Sequence, residues 1–205
     1  MVLFLIEYFN INNSIFNVVN YITIRSGLSL MTSLFFILIF GPYLIKLISR
    51  FQSEGQPIRL DGPESHLIAK KGTPTMGGFI ILLSIIISIL LWSNFSSQIL
   101  WPCLFIMISF GTIGFFDDYK KVSNNTSDGV SGKTKIILEI LCAVIFVIWS
   151  SALNLDNQKL LSLPFLKDIY INLGFFFIPF VVFVIIGSAN AVNLTDGLDG
   201  LAIVP

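Results

Sequence analysis

An all-α bundle of membrane-spanning helices is predicted by three features of this sequence. Of its 205 residues, 55% are hydrophobic and only 12% charged, whereas soluble domains average roughly 25% charged residues. The apolar residues gather into blocks able to cross a hydrocarbon core of about 30 Å, which takes about 20 helical residues. The charged residues lie almost entirely between those blocks. A water-soluble fold is excluded on these grounds, and residues 1–205 read as a single integral-membrane domain. The formal net charge is zero, so nothing in the overall balance calls for nucleic acid or another polyanion.

Five blocks read as spans: about Ser26–Ile48, Gly77–Ser93, Ile99–Phe116, Ile136–Leu155 and Ile169–Ala189. A sixth begins at Leu201-Ala202-Ile203-Val204. Gly41-Pro42 should kink the first, because proline removes one helical hydrogen bond and neighbouring helices must satisfy the freed carbonyl. Thr73-Pro74 bounds the second span and Asn94 ends it, so a tight turn leads into the third. Trp92 and Trp101 flank that turn, as residues of an interfacial aromatic belt do. Met1–Ile6 has no basic segment and reads as an exposed arm or an interfacial segment. Cys103 and Cys142 lie in apolar runs without a second Cys or His at ligand spacing, which argues for neither a disulfide nor zinc.

Five spans sort the polar segments onto alternating sides. Nine of the twelve Lys and Arg residues fall on one side: Lys46, Arg50, Arg59, Lys70, Lys71, Lys120, Lys121, Lys133 and Lys135. Arg25, Lys159 and Lys167 fall on the other. The excess marks the cytoplasmic side. The N-terminus is then periplasmic, and residues 49–76, 117–135 and 190–200 form cytoplasmic loops.

Those loops hold the chemistry. In the first, Lys70-Lys71-Gly72-Thr73-Pro74-Thr75 places two cations just before a helix for which Thr75 is the expected N-cap. Such a helix start suits a diphosphate, although two lysines also serve simply as a positive-inside anchor. His66 by itself reads as a surface or packing residue. In the second loop, Asp117 and Asp118 follow an apolar helix directly. Carboxylates at a membrane boundary need a partner, and two adjacent ones suit Mg²⁺, which takes one or two carboxylates and completes its shell with water and phosphate. A solvated helix end balanced by Lys120 and Lys121 is the competing reading. Gly129-Val130-Ser131-Gly132-Lys133-Thr134 imitates a phosphate-binding P-loop, but Ser127 stands where that pattern needs glycine and no strand precedes it. What remains is a turn that delivers Lys133 to the fourth helix. The third loop, Asn190-Ala191-Val192-Asn193-Leu194-Thr195-Asp196-Gly197-Leu198-Asp199-Gly200, offers amides and carboxylates suited to hydroxyls, a uracil edge or a metal, or forms plain Asp-Gly turns. Together the loops supply what phosphoryl transfer asks for: a metal clamp, cations over a diphosphate and positioned polar groups.

These segments closely resemble one family, the polyprenyl-phosphate sugar-1-phosphate transferases (glycosyltransferase family 4). The Asp-Asp pair and Asn193–Gly200 resemble the family at large. Gly62-Pro63-Glu64-Ser65-His66 and Lys71-Gly72-Thr73-Pro74-Thr75-Met76-Gly77-Gly78 are similar to its phospho-N-acetylmuramoyl-pentapeptide-transferase branch. The resemblance runs from about Arg25 to the end of the chain. It implies an acidic pair, Asp117 and Asp118, at Mg²⁺, with Asp117 a base for the lipid phosphate. It also implies Lys70, Thr75 and Lys133 near the nucleotide diphosphate, and Asn193, Leu194, Asp196, Gly197 and Asp199 around the nucleoside. The implied substrates are UDP-MurNAc-pentapeptide and undecaprenyl phosphate, the products lipid I and UMP, and the location the bacterial inner membrane. The transfer is either direct or passes through an aspartyl-phosphate, and a homodimer is compatible with it. A sister enzyme moving N-acetylglucosamine phosphate to the same carrier is the alternative, and a non-catalytic lipid transporter a more distant one. Family members have about ten helices, with a third essential Asp and a histidine-rich loop in their second half. The expectation is therefore an N-terminal portion, with a third acidic residue beyond Pro205 and no activity alone.

Overall fold

The computed structural model of the chain describes residues 1–9, 18–52, 74–126, 128–155, 159–163 and 169–195. Six α-helices are found among them: α1 Val2–Tyr8, α2 Ile22–Phe51, α3 Gly77–Trp92, α4 Leu100–Asn124, α5 Gly132–Ala152 and α6 Phe177–Thr195. Two short strands, β1 Leu160–Ser162 and β2 Tyr170–Asn172, lie between α5 and α6. Two compact units follow the chain, Met1–Ser131 and Gly132–Pro205.

The expected all-α membrane architecture is borne out. Among the described residues four helical segments are long and apolar enough to cross a membrane, Ile22–Phe51, Leu100–Asn124, Gly132–Ala152 and Gly174–Thr195, while Gly77–Trp92 is a shorter apolar helix. Helix α3 is nearly continuous Ile and Leu, a composition that favours strands in water. In hydrocarbon every backbone group must find its partner within the segment, so the same residues form a helix. Large apolar side chains stay on the outside of the protein, Phe183 75% exposed and Leu38 62%, where acyl chains replace water as their surroundings.

In the first unit α2 packs on α3 and α3 on α4. The buried residues of α3 are Ile80, Ser84 and Ser88, one per turn along a single face. Small residues there let the backbones approach closely. Gly111 does the same for α4, since a Cβ at that position would overlap a methyl group of Leu82. The Trp92 indole donates to Thr32 Oγ1 at 2.8 Å, joining α3 to α2. Helix α2 runs through Pro42 without interruption, so the expected kink does not break the span. Met1–Ile6 is no free arm: most of it belongs to α1, Leu3 is buried, and the Met1 ammonium donates to the Leu90 carbonyl at 2.9 Å.

Three boundaries differ from expectation. Helix α4 continues eight residues past Phe116, to Asn124, so Asp117 and Asp118 stand on a helix and not in a loop. Acid-to-base pairs from Asp117 and Asp118 to Lys121, at i,i+4 and i,i+3, favour that extension. Asn125, left-handed at φ 49°, then ends the helix. Helix α5 begins at Gly132, which puts Lys133 in its first turn. The fifth span starts later than Ile169, because Tyr170–Asn172 pairs antiparallel with Leu160–Ser162. Asn172 Oδ1 accepts the Gly174 N–H at 2.9 Å and Gly174 takes φ +48°, a turn that suits glycine. Helix α6 is correspondingly displaced toward the C-terminus and carries Asn190–Thr195.

In the second unit α5 packs on α6. Glu139, Ala143 and Val147 form the buried stripe of α5.

Candidate active site

The first unit gathers a polar cluster at the end of α4. Both carboxylates face Lys121, whose Nζ lies 2.6 Å from Asp117 Oδ2 and 3.3 Å from Asp118 Oδ1. Asp117 Oδ1 accepts the Val130 N–H at 2.7 Å, and Asp118 Oδ2 accepts the Thr75 hydroxyl at 3.3 Å. Every carboxylate oxygen of the pair thus has a donor. The side chains are 15% and 33% exposed, sheltered yet reachable from one side. Among the described residues no group of three or more His, Cys, Asp and Glu could hold a metal. A pair of adjacent carboxylates is nevertheless a donor set that fits Mg²⁺, which accepts one or two.

Thr75 is held from behind. Its N–H donates to Gln52 Oε1 at 2.8 Å, while Gln52 Nε2 donates to the Thr75 carbonyl at 3.5 Å. Gln52 is buried at the C-cap of α2, so one amide ties the end of α2 to the approach to α3. Thr75 is not the N-cap that its position suggests. Met76 is, in the left-handed region at φ 70° and without a side-chain cap. The Thr75 hydroxyl is directed to Asp118 instead. Gly129 completes the cluster, since a Cβ there would collide with the Asp117 carboxylate and come within 2.8 Å of Lys121 Cε.

The second unit holds Lys133, exposed in the first turn of α5, and Asn193 and Leu194, exposed in the last turn of α6. It also holds a contact of another kind. Glu139 is 3% exposed, and its Oε2 accepts the Asn190 amide at 2.6 Å. Lys70, Asp196, Gly197 and Asp199, and His66 with them, lie outside the described residues.

Of the residues expected at a site, the structure therefore joins Thr75, Asp117 and Asp118 in one cluster, and sets Lys133 at the start and Asn193 and Leu194 at the end of the α5–α6 pair. Lys121, considered from sequence only as a balancing charge, is the centre of the acidic cluster. Gln52 and Gly129-Val130 were not legible: nothing in the spacing of a glutamine at a helix end or a glycine in a polar turn announces what it touches. Glu139 did carry a signal, being a lone acid in an apolar run.

The arrangement defines a class, a multi-pass membrane protein with a paired-carboxylate site at a helix end. Its family follows from comparison with known proteins. The family model described as Glycosyl transferase family 4 matches residues 100–204, and the Phospho-N-acetylmuramoyl-pentapeptide-transferase signature 1 matches residues 70–82. The chain belongs to glycosyl transferase family 4. It is similar to the phospho-N-acetylmuramoyl-pentapeptide-transferase of Ruegeria sp. (strain TM1040), 49% identical over 193 residues, which is 93% of this chain and 53% of that protein. Proteins with the same description from Rickettsia akari (strain Hartford) and Bartonella quintana (strain Toulouse) are 50% and 51% identical, over 95% and 92% of this chain and 54% and 52% of their own lengths. The chain spans about half the length of these curated relatives.

Proposed function

We propose that the protein, at its natural length, transfers phospho-MurNAc-pentapeptide from UDP-MurNAc-pentapeptide to undecaprenyl phosphate in the bacterial inner membrane. An oxygen of the lipid phosphate attacks the sugar-linked phosphorus of the donor. The bond to the UMP oxygen breaks, and lipid I and UMP leave. The observation that carries this reading is the Asp117–Lys121–Asp118 cluster with Thr75 donating into it, in a chain that shares the transferase signature over residues 70–82.

In this reading Asp117 and Asp118 hold Mg²⁺, which when bound neutralises charge on the transferring phosphoryl group. Lys121 keeps the two carboxylates close together despite their mutual repulsion. Asp117, oriented by the Val130 N–H, serves as the base that receives the proton of the lipid phosphate. Lys70 and Lys133 face the nucleotide diphosphate, and Asn193, Leu194, Asp196, Gly197 and Asp199 the nucleoside. The excess of Lys and Arg on one side, nine against three, supports a cytoplasmic catalytic face and a periplasmic N-terminus. A homodimer is compatible with this reading and is tested by crosslinking in native membranes.

The test is UMP release by the purified natural-length protein given both substrates. Release with UDP-MurNAc-pentapeptide and not with UDP-N-acetylglucosamine supports the reading, and the opposite preference moves the protein to the sister reaction. Chelating divalent cations should abolish release, and adding Mg²⁺ back should restore it. Full turnover in the chelated protein would remove the metal from the reading.

A further inference from the structure

The carboxyl group of Glu139 lies inside the α5–α6 pair and is unused by the chemistry above. It is 3% exposed and belongs to a stripe otherwise made of Ala143 and Val147. An ionisable side chain in such surroundings is costly and marks a function together with its partner. The partner is Asn190, whose Nδ2 donates at 2.6 Å to Glu139 Oε2 and at 3.0 Å to the Ile186 carbonyl one turn back on α6. Both hydrogens of the amide are committed. A flipped amide would set its oxygen against two acceptors, so the side chain has one orientation.

The position of this bond matters as much as its partners. Glu139 is seven residues from the start of α5 and Asn190 five from the end of α6, about 10 Å and about 8 Å along the two axes. A contact between the beginning of one helix and the end of the other sets an antiparallel register that brings the first turn of α5 and the last turn of α6 to the same level. Those turns carry Lys133 and Asn193. Asn193 and Leu194 follow Asn190 by three and four residues, and so flank it on one face of α6. Rotating or sliding α6 at Asn190 would displace both.

We infer that Glu139 is a positioning residue for the nucleotide donor: through Asn190 it holds the height and rotation of the last turn of α6, so that Asn193 and Lys133 reach one bound uridine nucleotide. The inference rests on the nucleoside role proposed above for Asn193. It requires only an acceptor at position 139, and not a charge, because Asn190 supplies a neutral donor. That separates it from a proton relay or a cation site, which need the ionisable group itself. It also differs from plain helix adhesion, which would affect donor, lipid and stability alike.

The test uses the natural-length protein in detergent, with three variants, Glu139→Gln, Glu139→Leu and Asn190→Leu. UMP formation is measured against each substrate in turn, and UMP binding by calorimetry. Glu139→Leu should raise the donor KM and the UMP Kd by about tenfold, the scale of leaving one buried amide donor unpaired, while kcat and the lipid KM shift by less than about twofold. Glu139→Gln, which keeps an acceptor, should match the wild type. Asn190→Leu, similar in size but without a donor, should reproduce the Glu139→Leu defect even where that variant fails to fold. Unchanged donor KM and UMP Kd in both defective variants would overturn the inference, as would Gln behaving like Leu or an equal rise in both substrates' KM. Wild-type protein that binds UMP yet releases none from UDP-MurNAc-pentapeptide would sink the proposed reaction and leave the calorimetric comparison to decide the role of Glu139. Wild-type protein that binds no UMP would overturn both.

Discussion

Two regions of this molecule place carboxyl groups on apolar helices, and they do so by opposite means. At the end of α4, Asp117 and Asp118 are partly exposed and share a lysine. Within the α5–α6 pair, Glu139 is buried and meets a neutral amide. Charge compensation at an accessible edge leaves carboxylates that can exchange a cation or accept a proton, since their partner is a flexible side chain. A single neutral hydrogen bond in a closed place offers no such exchange and serves geometry. A carboxylate's chemistry in a membrane protein follows from its partner and its access to water more than from its residue type.

The same substitution in both regions tests that contrast most directly. Asp117→Asn keeps size and removes charge, and UMP release by the natural-length protein should fall by about 100-fold or more, the scale of losing a general base, with the folded fraction unchanged by size-exclusion. Turnover within a few fold of wild type would break the comparison at its accessible end. Gly129→Ala comes next: its methyl group must displace the Asp117 carboxylate or the Lys121 stem. A drop in kcat of about tenfold, with little change in the donor KM, is the expected size for a misplaced catalytic group. Gln52→Ala should act more weakly. It removes the buried clamp on Thr75 and leaves that N–H unpaired, costing about 1–3 kcal/mol, read as a lowered unfolding midpoint together with a modest loss of kcat. An unchanged midpoint would show that the bond to Thr75 contributes nothing. Glu139→Gln should be the mildest of the four, with donor KM within about twofold of wild type because its hydrogen bond survives.

Much of this was legible beforehand, and the parts that were not share a cause. The apolar blocks located the four membrane-length helices and the shorter apolar helix Gly77–Trp92, because helix formation in hydrocarbon is imposed by the solvent and needs no particular partner. Boundaries beyond the hydrocarbon were misplaced. Asp117–Asn124 looks like a loop when polar residues are taken to end a span, yet Lys121 pairs back to both aspartates and the helix continues. Ile169 looks like the opening of a span, but Tyr170–Asn172 pairs with Leu160–Ser162 instead, a partner that the apolar character of the segment does not reveal. Thr75 has the residue type of an N-cap, and a carboxylate 43 positions away claimed its hydroxyl.

The sequence by itself determined that this is a polytopic helical membrane protein, that its charged residues gather in the polar segments between the apolar blocks, and that the chain carries the motifs of one transferase family. Those properties depend on local composition and on residue identity, which the chain states directly. Tertiary structure alone decided that Thr75 and Val130 donate to the acidic pair, that Gln52 holds Thr75, and that Glu139 meets Asn190. Each of these depends on which side chain arrives within hydrogen-bonding distance, and distance between residues far apart in the chain is created only when the helices pack.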